Sequence, residues 1–145
     1  MALEIIKDIN SIPARKIPIS SLTVVVGDLL ELTAGATTWV LCTSTTDHFT
    51  RKAIALEAAT TAATVVLAQE LTGSETVKAE STNNSNTAHN GDRMTLPDAN
   101  TVNNTGTDVS GQAASFLQIG TAGVNTAKRI VGYVLVGSGV DPDAA

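Results

Sequence analysis

At 145 residues, with nine Lys and Arg against fourteen Asp and Glu and a net charge of −5, the chain has the length of one domain and lacks the cationic surplus that a phosphate backbone demands. Its cations are scattered from Lys7 to Arg129, so a nucleic-acid-facing role is set aside. Charged residues reach 16%, below the roughly 25% of an ordinary soluble domain, which suits a surface covered by partners or by copies of itself.

Residues 1–19 read as an extended arm. Pro13 and Pro18 each push the preceding residue into extended geometry. A short helix at Leu3–Ile9 and a frayed terminus are the alternatives. The apolar content of Ile5, Ile6, Ile9, Ile12 and Ile17 favours docking onto a neighbouring subunit, because a free tail would leave these side chains in water.

The body spans residues 20–137. Ser20–Val26 alternates as a strand, Gly27–Asp28 interrupts it, and Leu29–Leu32 resumes it. A turn at Thr33–Ala36 leads to a strand over Thr37–Ser44, with Trp39 and Leu41 on one face and Val40 and Cys42 on the other. Thr45–His48 reads as a polar turn. Arg51–Ala59 alternates, yet its Ala and Glu content fits a helix equally well. Thr64–Leu71 and Glu75–Glu80 read as strands paired across the Thr72–Gly73–Ser74 turn.

Two long polar loops follow, at 81–92 and 97–112, with Arg93–Leu96 a short strand between them. Loops of this length in a compact domain usually touch something, and Asn84 and Asn103 are their candidate contact residues. Ala113–Ile119 returns to a strand around Phe116, and Lys128–Gly137 is the strongest strand pattern in the chain. Trp39, Phe116 and Tyr133 are expected in the core. Residues 138–145 form a Gly, Pro and Asp tail. The sum is an all-β domain, a small sandwich or barrel of about seven to nine short strands with at most one short helix.

The chemistry-bearing residues are few. There are two His, His48 and His89, and one Cys, Cys42, which reads as a small buried hydrophobe. Asp47–His48 is the single pair that suggests hydrolysis, and no G-x-S-x-G elbow accompanies it. Asp98–Ala99–Asn100 begins like a calcium loop, with Asp108 as a second carboxylate, but Val102 and Asn103 break the pattern. No catalytic residues, metal or cofactor are expected. No continuous apolar stretch approaches a membrane span, and no leader peptide is apparent, so synthesis in a cytoplasm is expected. Irregularly spaced Thr pairs argue against an ice-binding array, and a single Trp against a carbohydrate-binding module.

The run Val26–Gly27–Asp28–Leu29–Leu30–Glu31–Leu32, followed by Thr38–Trp39–Val40–Leu41 and then Arg51–Lys52–Ala53–Ile54–Ala55–Leu56, resembles small virion proteins of tailed phages, among them head decoration (cement) proteins. The late strand Lys128–Gly137 before an acidic tail is also similar, so the resemblance spans Ser20–Gly137. It implies a β-rich, non-enzymatic protein of the capsid outer surface. Such a protein would bind the major capsid protein and itself, as a homotrimer or dimer, without nucleic acid or membrane. A tail or fibre component is the alternative virion role, and a small hydrolase using Asp47 and His48 a more distant one.

Overall fold

The computed structural model describes residues 3–7, 12–106, 108–109, 113–124 and 127–138. Among them the chain is almost wholly β, with eleven strands in two sheets, one 3-10 turn at Thr87–His89 and no α-helix. The strands are β1 (Glu4–Lys7), β2 (Arg15–Pro18), β3 (Leu29–Leu32), β4 (Val40–Leu41), β5 (Arg51–Ala55), β6 (Val65–Glu70), β7 (Thr76–Ser81), β8 (Arg93–Met94), β9 (Thr101–Val102), β10 (Phe116–Thr121) and β11 (Arg129–Val134). The all-β expectation holds, with more and shorter strands than the alternation suggested.

One sheet runs β1-β7-β11-β10-β8, with β9 lying parallel to the end of β7. Strands β7 and β11 alternate strictly, so Val77 and Ala79 point inward beside Ile130 and Val134. The other sheet runs β2-β6-β5-β3-β4 and curls into a half-barrel. Its two ends meet at one parallel bridge, Ile19 to Trp39, where the Trp39 amide donates to the Pro18 carbonyl at 2.9 Å.

This curl gives the second sheet two buried faces. Leu29, Cys42 and Ile54 pack against Phe116, Ile130 and Val134 of the first sheet. Leu30, Ala53, Ala55, Val66 and Ala68 face the hollow of the half-barrel, which Trp39 and Ile17 fill. A strand buried on both faces reads as a continuous apolar run, and the alanines of β5 are the small residues this crowding requires. Each fully buried Leu, Ile or Phe contributes roughly 1.5–3 kcal/mol to these two cores.

Several local expectations change. Arg51–Ala55 is strand, because β3 and β6 pair with both of its edges and satisfy a backbone that helix would have satisfied alone. Ser20–Val26 contributes one bridge, Val24 to Ala59, and Ser21 adopts φ +54°, which breaks a regular strand. The strand expected over Thr37–Ser44 contracts to Val40–Leu41, with Val40 exposed and Cys42 buried. Tyr133 is half-buried, whereas Trp39 and Phe116 are in the core.

Strands β6 and β7 do not form a hairpin. They lie in different sheets, and the buried Glu75 carboxylate turns the chain between them by accepting from the amides of Thr72 and Gly73. The segment read as an arm is extended, but it is laid on its own chain. Strand β1 pairs with β7, and β2 pairs with β6. Beyond Ser138 the expected tail lies outside the described residues.

Candidate functional site

The two polar loops are joined by one buried side chain. Asn104 donates from Nδ2 to the carbonyls of Asn83 (3.1 Å) and Asn84 (3.2 Å), and its Oδ1 accepts from the Asn83 amide at 2.8 Å. A buried amide with its donors and acceptor engaged is a stable clasp. The Asn83 side chain also donates to Thr105 Oγ1 at 2.8 Å, and the Thr82 amide bonds the Val102 carbonyl. Residues 82–84 and 102–105 thus form one tip, which exposes Asn83, Asn84 and Thr105.

This tip connects to an apolar turn that the alternation pattern concealed. Val25–Val26–Gly27–Asp28 is a β-turn closed by the Asp28 amide on the Val25 carbonyl (3.1 Å), with Gly27 at φ +89°. Turn tips normally carry polar residues, yet Val25 is 48% exposed and Val26 58%. Leu56 and Val65 stand beside them, also partly exposed. A hollow of about 580 Å³ lies against Val25, Ala59, Ala63 and Val65. A second of about 230 Å³ lies against Val26, Leu56, Leu3 and Ile5.

Asp28 holds the two parts together. It is 4% exposed. Its Oδ2 accepts from the Val25 amide at 3.0 Å, and its Oδ1 accepts from Asn100 Nδ2 at 3.1 Å. The Leu29 amide reinforces the link with 2.7 Å to the Ala99 carbonyl. The sequence signal for this surface was the Val–Val step directly before Gly–Asp, which alternation alone read as strand.

The expected contact residues are dispersed. Ile17 is buried in the half-barrel, and Ile5 packs half-buried on the inter-sheet core. Both serve their own fold, because pairing in the sheets turns their side chains inward. Ile6 is 48% exposed, Pro13 is exposed, and Ile12 is half-buried with its carbonyl bonded by the Gln69 side chain. Ile9 lies outside the described residues. Asn84 is exposed as expected, while Asn103 is half-buried and its Oδ1 accepts from the Thr105 amide.

A second polar cluster is buried between the sheets. Lys52 is fully buried, and its Nζ donates to the carbonyls of Leu135 (2.6 Å) and Asp47 (2.7 Å). Burial lowers its ammonium to about 8. Glu31, opposite Lys52 in the β3–β5 ladder, is pushed up by burial and takes a hydrogen bond from Thr46. Burial also pushes the Cys42 thiol up, which removes it as a nucleophile. The cluster staples the β4–β5 loop to the segment after β11.

The remaining candidates separate. His48 packs edge-on against Phe49, with ring centroids 5.5 Å apart. His89 instead pairs with Asp92 at 3.0 Å, a contact the sequence reading missed. Asp98 bonds the Asn100 amide, and Asp108 forms an ion pair with Arg93 that holds its carboxyl below the ordinary range. Among the described residues no three His, Cys, Asp or Glu side chains group to hold a metal, and no helix is long and apolar enough to cross a membrane. No protein-family model, curated protein or solved structure matches the chain.

Proposed function

We propose that this chain is a structural protein of a tailed-phage virion, which decorates the head and stabilises it by bridging subunits of the major capsid protein. The observation that supports this reading is the joined surface at Asp28. The Asp28 carboxylate holds an exposed apolar turn, Val25–Val26, in one conformation and ties it to Asn100 of the second polar loop. An exposed apolar turn fixed in place suits a protein–protein contact, because preorganisation lowers the entropy lost on docking.

A decoration protein needs such a face more than it needs a reactive centre. Many copies on a lattice convert a modest affinity per site into a durable coat. The chain's acidic balance suits an outer surface that does not grip packaged DNA. Self-association as a trimer or dimer belongs to the same proposal.

The test is binding of the purified protein to undecorated heads of its phage, followed by electron microscopy. Density repeating at the joints of the head lattice supports the proposal. Density restricted to the tail or its fibres would replace it with the tail reading, and absence from the particle would end both.

A further inference from the structure

We infer that Asn90–Gly91 is a site of spontaneous covalent modification, deamidation through a cyclic imide, and that Gln118 holds this site shut in the folded protein. The inference is independent of what the chain assembles with.

The chemistry begins in the sequence. The side-chain amide of an asparagine is open to attack by the main-chain nitrogen of the residue that follows it. At this site the Gly91 nitrogen bonds to Asn90 Cγ, the Cγ–Nδ2 bond breaks, and ammonia leaves with the proton of the Gly91 amide. Water then opens the imide. Opening at Cγ gives aspartate, and opening at the main-chain carbonyl gives isoaspartate, whose extra carbon lengthens the backbone. A side chain on the following residue shields the attacking nitrogen, and glycine has none. Asn90 is the only asparagine of the chain that precedes a glycine.

The fold requires that glycine. His89–Asp92 is a type II β-turn, closed by the Asp92 amide on the His89 carbonyl at 2.9 Å, with Asn90 at φ −61° and ψ +126° and Gly91 at φ +91°. The third position of such a turn needs a positive φ, which glycine adopts without strain. Turn geometry therefore places a labile step in the chain, and Asn90 and Gly91 are both exposed to the water that hydrolysis consumes.

Gln118 grips this turn with main chain and side chain together. Its amide donates to the Asp92 carbonyl at 3.1 Å, and its carbonyl accepts from the Gly91 amide at 2.7 Å. Its Nε2 donates to Asn90 Oδ1 and to the Asn86 carbonyl, each at 2.9 Å. Gln118 is itself fully buried in β10 and held in register opposite Gly132 of β11.

This grip opposes each requirement of the reaction. Ring closure needs Cβ of Asn90 and the Gly91 nitrogen nearly eclipsed about the Cα–C bond, and at ψ +126° they stand well apart. The attacking nitrogen must shed a proton that is held against the Gln118 carbonyl. The Asn90 amide must turn toward the main chain, and its oxygen is tied to Gln118 Nε2. Modification therefore proceeds from a locally opened turn, at a rate set by how often that opening occurs.

The experiment holds the full chain in warm, mildly alkaline buffer, native and, in parallel, unfolded in guanidinium chloride. Samples are digested at intervals, and mass spectrometry reads the mass gain and the isoaspartate at each asparagine. Gln118→Met removes Nε2 while keeping the main-chain bonds and nearly the same volume. In denaturant we expect wild type and Q118M to react alike, at Asn90 before any other asparagine. Native wild type should react at least about tenfold more slowly than the unfolded chain. Native Q118M should react about threefold or more faster than native wild type, as the loss of one hydrogen bond from the closed turn implies. A variant that merely unfolds would show in its melting curve. In that case the wild-type comparison decides, together with hydrogen exchange at the Gly91 amide, which must be slow. Modification led by a different asparagine overturns the site. Equal native and unfolded rates, or a folded Q118M that reacts no faster than native wild type, overturn the lock.

Discussion

The Asp28 carboxylate accepts from the Asn100 side chain at 3.1 Å across 72 residues of sequence, while its other oxygen closes the turn at Val25. One buried side chain therefore sets the relative placement of an apolar turn and a polar loop. Charged acceptors make the stronger hydrogen bonds of this kind, and removing one partner leaves the other unsatisfied.

Asp28→Ala is expected to destabilise the protein by about 1–3 kcal/mol, the usual cost of orphaning buried donors. The Val25 amide and the backbone around Asn100 should exchange hydrogen faster, and head binding should fall by more than the loss of folded protein explains. Urea denaturation together with hydrogen exchange checks this. Unchanged exchange at both places would show that Asp28 does not couple them.

Lys52 gives a signed pH dependence. Its folded value is lowered to about 8 from an ordinary 10.5, so between these values the unfolded chain binds the proton and the folded chain does not. Stability then rises with pH through that window, by an amount on the order of 3 kcal/mol. The difference in unfolding free energy between wild type and Lys52→Met, followed from pH 7 to pH 11, isolates this contribution from other titrating groups. The wild type should gain on the variant as pH rises. A flat or falling difference would mean that the carbonyls of Leu135 and Asp47 hold the charged form.

Gly132 sits opposite Gln118 in the β10–β11 ladder. A Cβ there would overlap the Leu117 carbonyl oxygen and come within 2.7 Å of the Phe116 ring. Backbone cannot yield as a flexible side chain can. Gly132→Ala should therefore cost at least about 3 kcal/mol, near the upper range of single substitutions. Thermal or chemical denaturation reads it directly, and a loss under about 1 kcal/mol would require β10 to shift without cost.

The leading segment should behave as part of the fold. Ile17→Ala opens a cavity in the half-barrel and is expected to cost about 2–5 kcal/mol. Ile6→Ala, at a side chain 48% exposed, should stay near zero. Deleting residues 1–19 removes Leu3, Ile17 and Ile19 from two cores, so the remainder should lose its cooperative transition. A truncated chain that melts cooperatively would return this segment to the role of a detachable arm.

Cys42 is 1% exposed and its thiol is held protonated by burial and by the nearby Glu31 charge. An aromatic disulfide reagent should leave it untouched in the native protein and label it on unfolding. Rapid labelling under native conditions would place an opening of the inter-sheet core well below the global unfolding free energy.

Residue pattern was enough for the all-β class, for the inward face of β7, for the burial of Trp39, Phe116 and Cys42, and for the polar character of both loops, whereas it put Tyr133 of β11 on the wrong face. A two-residue period states which side of a strand is apolar, and that is local information. It does not state which strand lies alongside. The separation of β6 from β7, the return of β1 and β2 onto their own sheets, and the half-barrel closure at Ile19 and Trp39 all depend on partners many residues away. Burial of Lys52 and exposure of Val25 and Val26 follow from the same cause. Alternation assigned each of them to a face, and the packing of two sheets decided which faces water reaches.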